Sequence, residues 1–178
     1  AYTMTQEKSK FTLKMLCFCA MFAALSCVAT LISIPLPFGY FNLGDTVVIV
    51  CAWCLGAPGI IAAALGSALA DLILGFAIYA PATAVIKGLM ALVAWLLCKK
   101  LHNRSHLVEF SIRPAVAVLC EAIMVAGYLF YEAVILGYGA GAFASILGNC
   151  LQGLAGVVGS VLLFAALKAS SAIRIFQN

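Results

Sequence analysis

Uninterrupted apolar runs of bilayer length constrain this chain more than any other feature. The first extends from Met15 to Ile34, about 20 residues, which is what a helix needs to cross a bilayer's hydrocarbon. Further apolar runs follow one another almost to the end, and they do not alternate apolar with polar residues as barrel strands would. Backbone polar groups in lipid must be satisfied internally, so runs of this kind read as helices. Composition agrees: of 178 residues, 66% are hydrophobic and 9% charged, with mean hydropathy +1.17. A soluble domain carries about 25% charged residues, so the chain reads as an all-α integral membrane protein. No cleavable signal peptide is expected, because the first run is a full span with no small-residue cleavage site before a polar mature chain. Ala1, Tyr2 and Thr3 before Met4 are compatible with an expression leader.

Turn residues divide the runs. A polar, basic tail (1–13) precedes the first span. Pro35-Leu-Pro37-Phe-Gly39-Tyr-Phe-Asn42-Leu-Gly44-Asp45 is expected to form a loop, since such dense prolines and glycines cannot continue a helix. Asp45 or Thr46 would cap a short second helix ending near Leu55. Gly56-Ala-Pro58-Gly59 breaks the chain, and Pro58 suits the first turn of a third helix running to about Leu74. The fourth runs from Pro81 to Leu97, the fifth from Pro114 to Leu136 and the sixth from Ala142 to Leu167. Residues 14–173 then form a single six-helix domain, and 174–178 a short tail.

Charge orients the bundle. With six spans, the amino-terminal tail, the 98–113 loop and the carboxy-terminal tail share one side and hold nine of the ten Lys and Arg residues. The tenth is Lys87, and the opposite loops hold none. By the positive-inside rule, both termini are expected in the cytoplasm.

Polar residues stranded in these spans are the candidate chemistry. Asp71 and Lys87 sit on opposite arms of a hairpin around Gly75-Phe-Ala-Ile-Tyr79-Ala-Pro81. A charge held in a span costs about 2.5–3.5 kcal/mol on insertion scales, so each needs a partner or a wet cavity. They either pair with each other or line a ligand pocket. Asn42 and Asp45, Tyr79, Tyr128, Tyr131 and Glu132, and Asn149 and Gln152 all fall toward the outer half. Together they suit an outward pocket with apolar walls and a few polar groups. The structural alternatives are an interfacial tyrosine belt and interhelical amide bonding. Glu121 falls in the inner half, too deep for that pocket. The eight cysteines read as small buried apolar residues, and Cys51-x-x-Cys54 lacks the His or second Cys pair of a metal site, so neither metal nor cofactor is expected. Ala20-x-x-x-Ala24, with Ala23 beside it, forms a small-residue stripe suited to close helix contact, as do Gly66-x-x-x-Ala70 and the glycines of the sixth helix.

These residues resemble those of the substrate-binding S components of energy-coupling factor (ECF) vitamin transporters, in the branch labelled riboflavin-type. The resemblance rests on Ala20-x-x-x-Ala24, Phe41-Asn-Leu-Gly44-Asp45, Gly66-Ser-Ala-Leu-Ala70-Asp71, Tyr79-Ala-Pro81-Ala-Thr83 and Ile86-Lys87-Gly88, and covers 14–168. It implies a multi-pass protein of a prokaryotic cytoplasmic membrane that captures a vitamin outside, under a closing first loop. It also implies docking on a transmembrane coupling subunit energised by two cytosolic ATPases. Ala20, Ala23 and Ala24 would face that subunit, Asn42 and Asp45 would belong to the lid or its hinge, and Lys87 and Asn149 would lie among the site helices. The chain has no Walker-type GxxxxGK(S/T) sequence, so energy would come from partners rather than from an enzymatic activity of its own.

Lys87 invites an anionic or carbonyl group, Asp71 and Glu132 an amino or ring N–H group, and the tyrosines a heterocycle. A hydroxymethylpyrimidine, thiamine or pyridoxine-type ligand meets these demands best, with riboflavin next and biotin behind. The competing class is a stand-alone ion-coupled secondary carrier, for which Asp71 and Glu121 are the deep carboxylates. A membrane enzyme built on His102 and His106 is disfavoured, because those residues lie among lysines in a basic loop.

Overall fold

A computed structural model describes residues 13–36, 39–101 and 106–177. Six principal helices dominate: α1 (Leu13–Leu31), α2 (Gly44–Leu55), α3 (Ala57–Ile73), α4 (Ala80–Cys98), α5 (His106–Phe130) and α6 (Ile146–Ala169). A short α7 (Arg174–Gln177) follows. The tail through residue 12, His102 and Arg104 lie outside the described residues, as does the side chain of His106.

The architecture is organised around α2. Its residues Val48 to Leu55 are all buried, as befits a helix that is apolar on every side. It touches α1, α3, α4, α5 and α6, and those five form an arc in which α1 packs on α3, α3 on α4, α4 on α5 and α5 on α6. Among the described residues, four helical segments are long and apolar enough to cross a membrane: Leu13–Leu31, Ala80–Cys98, Val108–Ile135 and Gly139–Ala169. At 12 and 17 residues, α2 and α3 are shorter, about 18 and 25 Å at 1.5 Å per residue.

Close helix approach depends on glycine. A Cβ on Gly66 of α3 would strike the Ala23 carbonyl of α1 and come within 2.9 Å of the Ser26 Cβ. Between α2 and α3, Gly56 takes φ +68°, and Gly59 lies against Cys51, whose carbonyl a Cβ would approach to 2.7 Å. Pro58 stands in the first turn of α3, as the sequence predicts.

Three local expectations are corrected. Part of the proline-rich loop pairs into an antiparallel hairpin, β1 (Ser33–Leu36) with β2 (Gly39–Asn42), in the register Ser33 to Asn42. Two-strand pairing satisfies backbone groups that the prolines exclude from a helix. Helix α2 starts earlier than expected, and neither Asp45 nor Thr46 is its cap: Leu43 holds that position without a side-chain bond. Asn42 Oδ1 instead accepts from the Gly44 N–H at 2.8 Å, and Asp45 is free to point into the bundle. Finally, α5 begins at His106, with Pro114 inside it. Residues 106–113 of the expected 98–113 loop are therefore helix, anchored by Arg113 donating to Glu109 one turn earlier, at 2.7 Å from Nη2.

Candidate functional site: a polar cavity in the bundle

A cavity of about 350 Å³ opens where the hairpin, the α3–α4 turn and the starts of α4 and α6 meet. Polar residues enter it at helical spacing: Ser67 and Asp71 from α3, Tyr79 from the turn before α4, Thr83 and Lys87 from α4, Tyr128 from the end of α5 and Glu132 from just beyond it. Ser145, Asn149 and Gln152 arrive from α6 and its approach, and Thr30, Ser33 and Asn42 from α1 and the hairpin. Positions three and four apart share a helix face, so the stripes follow directly from the sequence. Past Phe130 the helix changes to a π-helical turn (Tyr131–Ile135). The cavity's remaining roof comes from the 3-10 turn Gly139–Ser145, which brings Ser145 to Glu132.

Three carboxylates are held in this region, each by donors from other elements. Asp45, 0% exposed, receives the Lys87 ammonium on Oδ1 and the Gln152 amide on Oδ2 at 2.7 Å. Gln152 Oε1 in turn accepts from Asn42 Nδ2 at 2.9 Å, so one chain of bonds runs from α4 through α2 and α6 to the hairpin. Asp71 Oδ2 accepts from the Thr83 hydroxyl at 2.5 Å, and the Tyr128 hydroxyl lies 2.8 Å from Thr83 Oγ1. With the threonine proton committed to Asp71, Tyr128 is the donor in that second bond. Glu132 accepts from Tyr79 at 3.4 Å and from Ser145 at 2.5 Å. Burial and the neighbouring Glu132 carboxylate push the Tyr79 phenol above its usual range, which keeps it a proton donor.

The charge of the lining follows. Among the described lining residues Lys87 is the cation, and Asp45 already neutralises it. Asp71 and Glu132 add two carboxylates, Asp71 accepting from the Thr83 hydroxyl and Glu132 from those of Tyr79 and Ser145. Phe76, Tyr79 and Tyr128 supply aromatic surface, and the Lys87 ammonium sits 5.4 Å from the Tyr128 ring centre. The arrangement favours a small flat ligand that donates N–H groups or carries positive charge.

The expected site residues divide accordingly. Asn42, Asp71, Tyr79, Lys87, Tyr128, Glu132, Asn149 and Gln152 line the cavity. Asp45 is not among the lining residues but holds Lys87 and Gln152 from behind. Tyr131 is not among them either: its hydroxyl donates to the Ile78 carbonyl and its ring lies 5.8 Å from that of Tyr79. Lys87 pairs with Asp45, because α2 occupies the bundle centre and brings Asp45 to the lysine. Thr30, Ser33, Ser67, Phe76, Thr83 and Ser145 were missed. Thr83 and Ser67 were detectable in principle, each four residues before a singled-out charge. Glu121, expected to lie deep, is buried beside Gly153 and Gly156 of α6, and neither carboxyl oxygen has a hydrogen-bond partner among the described residues.

On α1, Ala20 and Ala24 are exposed, while Ala23 is half-buried with its carbonyl against Gly66. The stripe therefore has one member packed inside the bundle and two on the outer face.

Comparison with known proteins matches this architecture to a family. Residues 10–169 match the family model described as ECF-type riboflavin transporter, S component. A relative in Pyrococcus woesei, described as "Uncharacterized protein in gap 3'region", is 32% identical over 138 residues, covering 76% of this chain and 88% of that protein. S components are integral membrane proteins that bind a vitamin for an ECF transporter and are transport subunits rather than enzymes. With the match spanning nearly all of the described bundle, this chain belongs to the ECF-type riboflavin transporter S component family.

Proposed function

We propose that the protein captures a small heterocyclic vitamin or precursor in the polar cavity from outside a prokaryotic cytoplasmic membrane. It delivers that ligand inward when docked on a coupling subunit and two ATPases. The six helices span the bilayer with both termini cytoplasmic, a reading supported by the sidedness of Lys and Arg. The hairpin acts as the outer lid, hinged where Asn42 bonds Gln152 and the Gly44 amide. Ala20 and Ala24 are the docking face, supported by their exposure on an edge helix.

The observation that carries the substrate reading is the charge of the lining. Its lysine is neutralised by Asp45, and Glu132, which accepts from the Tyr79 and Ser145 hydroxyls, meets the ligand's polar groups. That favours an aminopyrimidine, thiazolium or pyridine compound, of the hydroxymethylpyrimidine, thiamine or pyridoxine type, over an anionic one. Riboflavin is the second reading, favoured by the family's description and by aromatic walls at Phe76, Tyr79 and Tyr128. Isothermal titration of the detergent-purified protein with thiamine, hydroxymethylpyrimidine, pyridoxine and riboflavin tests this. One of the first three should bind most tightly and lose affinity in Glu132→Gln. Tight binding of riboflavin alone would replace the substrate reading.

A further inference from the structure

We propose that the opposite end of the bundle carries a second binding site, which takes the phosphate of an anionic phosphoester, in the first place a phospholipid headgroup. It lies in a separate cavity of about 390 Å³, between the carboxy-terminal ends of α2 and α4 and the second turn of α5. Trp53, Trp95, Lys99 and Arg113 line it, together with Cys54 and Cys98. None of these residues belongs to the vitamin cavity.

Arg113 is the centre of the site. It is 6% exposed, and its guanidinium stands 3.7 Å from the Phe164 ring centre and 4.8 Å from that of Trp53. Nε and Nη2 donate to Glu109 Oε1 at 3.1 and 2.7 Å. Those contacts hold the plane in one orientation. The remaining nitrogen, Nη1, is buried and meets no acceptor among the described residues. The buried Trp53 Nε1 is in the same condition, with only the Cys98 thiol, a weak acceptor, beside it. Lys99 adds a third donor group, its ammonium 5.2 Å from the Trp95 ring centre.

An unsatisfied buried donor is costly, and more so on a charged group. A guanidinium cannot shed its proton to escape that cost. Charge points the same way. Glu109 is shared between Arg113 and Lys168, so with Lys99 three cations face one carboxylate. Phosphate oxygens are acceptors only, carry the complementary charge and suit arginine geometry. On the proposed topology this end faces the cytoplasm, where basic pockets between helices take anionic headgroups and tryptophans sit at the interface. The site therefore reads as a hold on one inner-leaflet lipid, though a soluble phosphate ester shares the same chemistry.

The test uses the full chain in detergent, stripped of lipid and then offered phosphatidylglycerol or phosphatidylcholine, with retention read by native mass spectrometry. In parallel, unfolding temperature is followed against sodium phosphate at constant ionic strength. Trp53→Phe keeps the ring and removes the N–H, Lys99→Gln removes an exposed cation, and Lys100→Gln makes the same charge change on a neighbour outside the lining. Selective retention of one phosphatidylglycerol is expected. Trp53→Phe combined with Lys99→Gln should weaken it about ten-fold, the effect of losing a charge-assisted bond, while Lys100→Gln leaves it intact. Saturable stabilisation by phosphate with the same variant dependence would assign the site to a soluble ester. Equal retention of the two lipids with no phosphate effect would overturn the site, as would equal losses in Lys99→Gln and Lys100→Gln.

Discussion

Replacing Lys87 with methionine isolates the bond at the centre of the bundle. Asp45 is 0% exposed and Lys87 5% exposed, so neither charge can turn to solvent when the other is lost. In Lys87→Met the aspartate keeps the Gln152 amide at 2.7 Å and gains nothing in exchange for the ammonium. Breaking a buried pair from one side costs about 3–5 kcal/mol. At about 2–4 °C per kcal/mol for a chain of this size, the melting temperature should fall by roughly 6–20 °C. Adding Asp45→Asn removes the stranded charge and keeps an acceptor for Gln152, so the double variant should recover about 2–3 kcal/mol of the loss. A thiol-reactive fluorogenic dye suits the measurement, because Cys51, Cys54, Cys98 and Cys120 are buried and react only on unfolding, while exposed Cys17 and Cys150 set the baseline. Measured without ligand, the cycle reports the scaffold alone. Additive losses for the two single variants would refute the pairing.

Other outcomes follow from the packing. Gly66→Leu should push α1 off α3, costing about 1–3 kcal/mol in the same dye assay, because the Ala23 backbone leaves no room for a Cβ. Thr83→Val removes the hydroxyl shared by Asp71 and Tyr128 and should cost about 1–3 kcal/mol of stability, with a drop in vitamin affinity by titration. Ala24→Trp should leave vitamin binding unchanged yet abolish co-purification with the coupling subunit, since Ala24 is exposed and is not among the cavity's lining residues. Normal co-purification would move the docking face elsewhere.

Much of the helical plan was readable because apolar runs and breakers are local signals. Pro58 at the start of α3 and Gly56 at the end of α2 mark their boundary from sequence as clearly as in space. Pairing was not local. Asp71 and Lys87 flank one turn and stand out together in the sequence, whereas the Lys87–Asp45 bond joins residues 42 positions apart. Only the central placement of α2 brings Asp45 to the lysine, and a 12-residue apolar helix does not announce that it is central. The start of α5 was hidden for a related reason. Glu109 and Arg113 look like loop charges until the four-residue spacing is read as one helix turn shared with Lys168. The cavity residues found from sequence were the charged, aromatic and amide groups. The missed ones were mainly hydroxyls such as Ser67 and Thr83, which are ordinary in any membrane helix and gain meaning only beside Asp71.

The most direct measurement is native mass spectrometry of the purified protein with identification of any released small molecule. The account predicts one heterocyclic vitamin or precursor per protein, carrying amino or ring N–H groups or a positive charge, and displaced in Glu132→Gln. A protein that emerges empty and then binds none of thiamine, hydroxymethylpyrimidine, pyridoxine or riboflavin on titration would contradict it.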